Sequence, residues 1–247
     1  MLTRDVADGV HRVEDARVNW YLVEDGDALT VVDAGHPRSW TSLHAALRAL
    51  GRGASAVRAL VLTHGHFDHV GFAERARTEL GVPVWVPEDE VAIARHPWRY
   101  PHERARTPYT LRHPGFVADL TAMAAAGALA VRGLRGGRTY RDGVRLDVPG
   151  RPLAVATPGH TPGHHALLLG DRGVLLAGDA VVTFDPYTQS EGPRIVAGAA
   201  TADSARALAS LDVLASTGAR TVLTGHGPPW TGWAAEAARL ARAAGPS

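Results

Sequence analysis

Thr63-His64-Gly65-His66-Phe67-Asp68-His69 follows directly on the apolar run Ala59-Leu60-Val61-Leu62 and packs three imidazoles and a carboxylate into a few residues. Neutral imidazole is the commonest protein ligand for zinc, and carboxylates complete such sites at about 2.0 to 2.2 Å, so the cluster reads as metal-binding. The apolar run has the pattern of a strand buried on both faces. A strand of that kind carries the polar loop on a rigid base, and Gly65 lets the histidines on either side of it converge by leaving helical geometry.

Around this core the pattern alternates strands and helices. Val18 to Val23 and Ala28 to Val32 flank the turn Glu24-Asp25-Gly26-Asp27 and predict a hairpin. Leu43, Ala46, Leu47 and Leu50 fall on one face of a helix over 39–50. A strand over 57–62 precedes the histidine cluster, and a helix over 72–80 follows it, ending at Gly81. Strands are expected at 144–148, 153–156, 166–169, 174–177 and 221–223, and helices at 202–214 and 233–244. Between Glu88 and Arg138 prolines and glycines break short apolar pieces, which predicts a helical insertion.

One internal echo organises the chain. Thr30-Val31-Val32-Asp33, helix, Val61-Leu62-Thr63-His64 is matched by Leu175-Leu176-Ala177-Gly178-Asp179, helix, Val222-Leu223-Thr224-Gly225-His226. Two such halves packed face to face give an α/β fold, a four-layer αββα sandwich with its polar loops at one edge. The length of 247 residues suits one domain over 1–247.

Composition narrows the function. With 26 basic against 25 acidic residues, the chain has no general surface for nucleic acid or membrane. No cysteine is present, so any metal must sit on His and Asp. Neither a signal-like start nor a spanning apolar stretch is visible, which makes a cytoplasmic location the expectation. The expected partner is a small-molecule substrate; the oligomeric state is not legible.

The remaining chemistry lies after predicted strands: Thr157-Pro158-Gly159-His160-Thr161-Pro162-Gly163-His164, the Gly178-Asp179 turn, and Gly225-His226-Gly227. With these pieces in this order, the chain resembles the metallo-β-lactamase-fold hydrolase superfamily. The resemblance implies that His64, His66 and His160 hold one metal, that Asp68, His69 and His226 hold a second, and that Asp179 bridges them. Two divalent ions are then expected, zinc first, with iron or manganese also suited to such ligands. Asp33 is a candidate partner for a ligand imidazole. His164 is a candidate for contact with a ligand or the substrate.

Within that superfamily, Asp179 argues against an antibiotic-hydrolysing β-lactamase, and the short stretch after His226 argues against a glutathione thioester. The expected reaction is attack on a small ester, thioester or lactone by a hydroxide shared between the metals. Asp68 or a metal-bound water would protonate the leaving group, and Tyr187 would assist the carbonyl oxygen. A phosphodiesterase on a small phosphate ester and an iron-dependent redox enzyme are the alternatives. Trp98, Tyr100, Tyr109 and Phe116 are candidate pocket walls, Arg95, Arg99, Arg104, Arg106 and Arg112 candidate anion partners, and residues 184–194 a loop over the site.

Overall fold

The computed structural model describes all 247 residues. The first sheet follows chain order: β1 (Leu2–Ala7), β2 (Val10–Asp15), β3 (Val18–Asp25), β4 (Ala28–Val32), β5 (Val57–Val61), β6 (Val84–Pro87) and β7 (Arg138–Tyr140). Its first four strands are antiparallel, and β4 to β7 run parallel. After β8 (Leu153–Ala156), β9 (His165–Leu169) and β10 (Val174–Gly178) comes a separate hairpin, β11 (Val182–Asp185) with β12 (Ser190–Arg194). Then β13 (Thr221–Thr224) and β14 (Trp230–Thr231) complete a second sheet of order β14-β13-β10-β9-β8.

Successive residues of one strand point into different cores, which is why these strands read as unbroken apolar runs. In β4 Val31 joins the outer core and Val32 the core between the sheets; in β5 Leu60 points out, Ala59 and Val61 in. Leu43 and Leu47 of α1 (Ser39–Ala49) cover the outer face of the first sheet. On the second sheet Val174 and Leu176 face inward, while Leu175 meets Leu211 and Leu214 of α7 (Ser204–Ser216) and the alanines of α8 (Ala234–Ala244). The layers are therefore helix, sheet, sheet, helix, as expected.

Both halves of the echo form a parallel pair with a helical crossover, β4-α1-β5 and β10-α7-β13. The expected hairpin is β3 with β4, Tyr21 opposite Val32 and Asp25 opposite Ala28. After β5 come the short α2 (Phe67–Val70) and α3 (Ala73–Arg75), the latter continuing through a wider turn to Leu80 and stopping at Gly81 with φ +67°. The insertion is helical, with α4 (Val91–Arg95), α5 (Thr107–Arg112) and α6 (Pro114–Ala125). No helix is long and apolar enough to cross a membrane.

Two expectations fail. Residues 144–148 are not a strand: Leu146 and Val148 are buried between the sheets, but the backbone makes only an isolated bridge, Arg145 to Leu153. Pro149 and Pro152 lack the N–H groups that a continuing ladder needs. Residues 184–194 are not an open loop but most of the β11–β12 hairpin, with Phe184 opposite Glu191 and Asp185 opposite Ser190. Asp185 closes its turn by accepting Tyr187 N–H at 3.1 Å and the Thr188 hydroxyl at 2.8 Å, and Pro193 is tolerated because this sheet has only two strands.

Candidate metal centre

Five strands, β4, β5, β8, β10 and β13, end at the same edge of the sandwich and deliver Asp33, His64, His160, Asp179 and His226. The backbone there is tight. Asp33 has φ +61°, a conformation few side chains other than Asn and Asp accept readily. Gly178 has φ +51°, and a Cβ on it would come within 2.7 Å of Thr63 Oγ1 and 2.8 Å of His164 Nε2. A Cβ on Gly225 would fall 2.0 Å from Asp179 Oδ1, so the loop before His226 must be glycine for Asp179 to occupy its place.

The ligand atoms group as three trios, His64 with His66 and His160, Asp68 with His69 and His226, and His64 with His69 and Asp179, each within 4.8 Å. His160 Nε2 lies 3.0 Å from His66 Nδ1 and 3.4 Å from Asp179 Oδ2. His226 Nε2 lies 3.3 Å from Asp179 Oδ2 and 3.6 Å from Asp68 Oδ2, and His69 Nε2 lies 3.6 Å from Asp179 Oδ1. Ligands bonded to one tetrahedral cation at about 2.0 to 2.1 Å sit about 3.3 to 3.4 Å from each other, so these spacings suit shared cations. The orphaned atoms say the same: His64 Nε2, His69 Nε2 and Asp179 Oδ1 are buried without a hydrogen-bond partner, a costly state for polar atoms unless something else binds them.

The outer nitrogen of most rings is already occupied, which fixes the tautomer and frees the inner one. His69 Nδ1–H donates to Asp33 Oδ2 at 3.0 Å, and His226 Nδ1–H donates to the Arg17 carbonyl at 2.8 Å. His64 Nδ1–H donates to Thr63 Oγ1 at 3.0 Å, whose hydroxyl in turn donates to Asp33 Oδ2 at 2.9 Å. His160 Nδ1 leans on Thr201 Oγ1 at 3.4 Å. His164 has no free nitrogen: its Nε2 accepts the Asp179 N–H at 3.0 Å and its Nδ1–H donates to Thr157 Oγ1 at 2.8 Å. It therefore braces Asp179 and does not face substrate.

Charge divides the cluster. Burial holds His64 and His66 well below the ordinary imidazole range, and lowers His160 to about 4, so these three rings are neutral, the form in which imidazole binds a cation. Burial also opposes charge on His69 and His226, but the carboxylates around them together outweigh it, Asp179 with Asp33 and Asp68 at His69 and Asp179 with Asp68 at His226, raising the two rings to about 10 and about 9. Burial would raise Asp179, yet His226 and His69 hold it well below the carboxylate range. The metal-free cluster thus keeps positive charge at two imidazoles among the carboxylates of Asp33, Asp68 and Asp179, the charge a cation would replace.

A cavity opens on this edge, walled by His66, Asp68, His160, Asp179 and His226 on one side and by Tyr100, Phe116, Leu120, Met123 and Tyr187 on the other. It adjoins an apolar slot of about 140 Å³ between Trp98, Tyr100, Phe116, Leu120, Met123 and Leu129. Tyr100 packs its ring 3.8 Å from that of His66, and Trp98 stacks on Phe67 at 3.9 Å. Tyr187, at the tip of the β11–β12 hairpin, packs on Phe116 and lines both spaces. Tyr109 is not a cavity wall; it is buried against Tyr187, with its hydroxyl on the Ser247 carbonyl. Nor do the insertion's arginines form an anion pocket. Arg95, Arg99, Arg104 and Arg112 are exposed, and Arg106 lies over the Tyr100 ring at 5.0 Å with its Nε on the Ala199 carbonyl. A larger cleft of about 470 Å³ between Arg12, Glu14, Phe184 and Trp230 contains none of the ligand side chains.

Sequence reasoning missed Thr63, Thr157, Thr201 and Glu90. The threonines adjoin ligand loops, but a hydroxyl has no motif of its own. Glu90 sits in an acidic run, Glu88-Asp89-Glu90, that reads as solvated surface although Glu90 is fully buried.

Residues 13–226 match the model of the metallo-beta-lactamase superfamily. The chain is 31% identical to the probable metallo-hydrolase YflN of Bacillus subtilis, over 92% of this chain and 87% of that one. It is 28% identical to the N-acyl homoserine lactonase AttM of Rhizobium radiobacter, over 74% of this chain and 62% of that one. Among solved structures, the metallo-beta-lactamase family protein TTHA1429 from Thermus thermophilus superimposes with a TM-score of 0.69 at 28% identity, covering 96% of this chain and 79% of that one.

Proposed function

Since the chain belongs to the metallo-beta-lactamase superfamily and is a metal-dependent hydrolase, we propose that it cleaves a small ester, thioester or lactone with an apolar acyl chain, using two divalent cations. The observation that carries this reading is the slot beside the ligand cluster, whose walls are apolar apart from Thr110 and one arginine, Arg106, which lies over the Tyr100 ring with its Nε on the Ala199 carbonyl. A phosphate ester would call for charged donors at that place. The lactonase name of AttM agrees with an acyl substrate.

His64, His66 and His160 would hold one cation, Asp68, His69 and His226 the other, with Asp179 between them. When bound, such a pair supplies Lewis acidity and a water whose pKa is lowered towards neutral. The chain's own residues do the rest. Tyr100, Phe116, Leu120 and Met123 exclude water and lay the acyl chain along the slot. Tyr187 lines the same cavity as the ligand cluster, and its hydroxyl would donate to a carbonyl oxygen of the substrate. Asp68, whose carboxylate faces the cavity beside His226, would take the proton that the attacking water gives up and pass it to the leaving group.

The test is an assay of p-nitrophenyl esters of rising chain length, acyl lactones and bis-p-nitrophenyl phosphate, together with metal analysis and an absorption spectrum. The expected result is acyl hydrolysis, with two equivalents of a colourless metal. Each methylene entering the slot should raise kcat/KM about three- to fourfold, the worth of about 0.8 kcal/mol of burial. Preferred cleavage of the phosphodiester, or a coloured iron protein with redox activity, would overturn it.

A further inference from the structure

Glu90 ends the short helical turn Glu88–Glu90 at the head of the insertion and is fully buried between the two loops that carry His66 and His160. Its oxygens divide between those loops: Oε2 accepts Gly65 N–H and Oε1 accepts Gly163 N–H, both at 2.8 Å. Gly65 separates His64 from His66 at the end of β5, in the first sheet. Gly163 follows His160 by three residues on the connection from β8 to β9, in the second. One carboxylate therefore ties together ligand loops that belong to different sheets.

The packing leaves no slack. A Cβ on Gly65 would meet Ala94 N at 2.6 Å, and one on Gly163 would meet Asp89 Cβ at 2.7 Å and Glu90 Oε1 at 3.0 Å. Glu90 forms no ion pair within 4.0 Å, and burial pushes its pKa up to about 7 against the pull of Thr161 and the two N–H groups. A buried carboxylate without a cation is expensive for folding, and an apolar residue of like volume would be cheaper. What the carboxylate supplies is a fixed distance between two loops. The imidazoles on those loops, His66 and His160, approach to 3.0 Å.

We propose that Glu90 is a positioning residue for one half of the metal centre: by clamping Gly65 and Gly163 it sets His66 and His160 on one cation, and it does not act on the Asp68, His69 and His226 half. This rests on the two-cation reading above. In Glu90→Gln one of the two N–H groups faces an NH₂ in place of an oxygen, while shape and packing persist.

Zinc affinity is measured at pH 8 by competition with a chromophoric chelator, in the full chain and in a His226→Ala background that leaves the His64, His66 and His160 half. The expected result is that Glu90→Gln weakens zinc about 10- to 100-fold in that background. In the otherwise native chain it weakens one binding step and leaves the other within about threefold, a selectivity that general destabilisation would not produce. Unchanged affinity in the His226→Ala background, or equal weakening of both steps, overturns the proposal. Should the native chain take up a single zinc, the two-cation reading fails, and the comparison in the His226→Ala background still decides the role of Glu90. Glu90→Asp, which keeps the charge but is too short to reach both loops, gives the same test if the glutamine variant does not fold.

Discussion

Asp33 Oδ2 accepts the Nδ1–H of His69 at 3.0 Å, while Asp33 Oδ1 accepts the Thr63 N–H at 2.8 Å. One carboxylate at the end of β4 thus orients a ligand ring and pins the start of the loop that carries it. Asparagine tolerates the φ of +61° at this position, so Asp33→Asn tests the carboxylate without disturbing the backbone. Metal affinity should fall about 10- to 100-fold by chelator competition, with the circular dichroism spectrum unchanged.

Removing a ligand outright has a larger effect. His66→Ala and Asp179→Ala should each lower metal content by at least one equivalent and reduce hydrolysis by about a thousandfold or more, while the fold survives on its three apolar cores. Metal analysis beside a hydrolysis assay checks both. Full activity in either variant would rule out the shared centre.

The raised pKa values of His69 and His226 set a pH dependence for metal uptake. In the metal-free chain both rings hold a proton at neutral pH, with values of about 10 and about 9. A cation must displace those protons, so affinity rises with pH and levels off above about 10. About two protons should be released at pH 7, measurable with an indicator dye on adding zinc. The same shifts carry a stability term of opposite slope. Because the folded pKa values exceed the unfolded one near 6.5, the contribution of these two rings to the metal-free fold is full below about 6.5 and is lost as pH rises through 9 to 10.

Tyr187→Phe keeps the packing on Phe116 and Tyr109 and removes only the hydroxyl. The expected outcome is a drop in kcat of about 10- to 100-fold with KM little changed, as for loss of a donor used in the transition state. Equal kcat in the variant would reduce Tyr187 to a wall.

Leu120 lines both the cavity and the slot from α6. Leu120→Asp places a charge where the proposed acyl chain lies. Discrimination between octanoyl and acetyl esters should then shrink about tenfold or more, through the long substrate alone. Parallel losses on both esters would point to a general defect.

The clustering of the candidate ligands and the layers were legible because both leave dense local signals. A buried strand is a run such as Ala59 to Leu62, and the histidine cluster stands at its end. The hairpin over 182–194 was hidden because Gly192 and Pro193 mark a loop in most contexts, and only the isolation of a two-stranded sheet permits them. β1 and β2 were hidden because charges at Arg4, Asp5, Arg12 and Glu14 interrupt their alternation at the edge of the first sheet. Glu90 was invisible for a deeper reason: its partners are backbone N–H groups on loops 25 and 73 residues away, and no spacing rule records those.

The edge where the two sheets meet has one more consequence. His66 and His160 lie 94 residues apart in a chain without cysteine, on loops from opposite sheets. A cation held by both closes a ring of that size, and a covalent link of comparable span restricts the unfolded chain by about 4 to 5 kcal/mol. A metal so held would do for this molecule what a disulfide does elsewhere, as a seam that stays shut in a reducing medium and opens to a chelator.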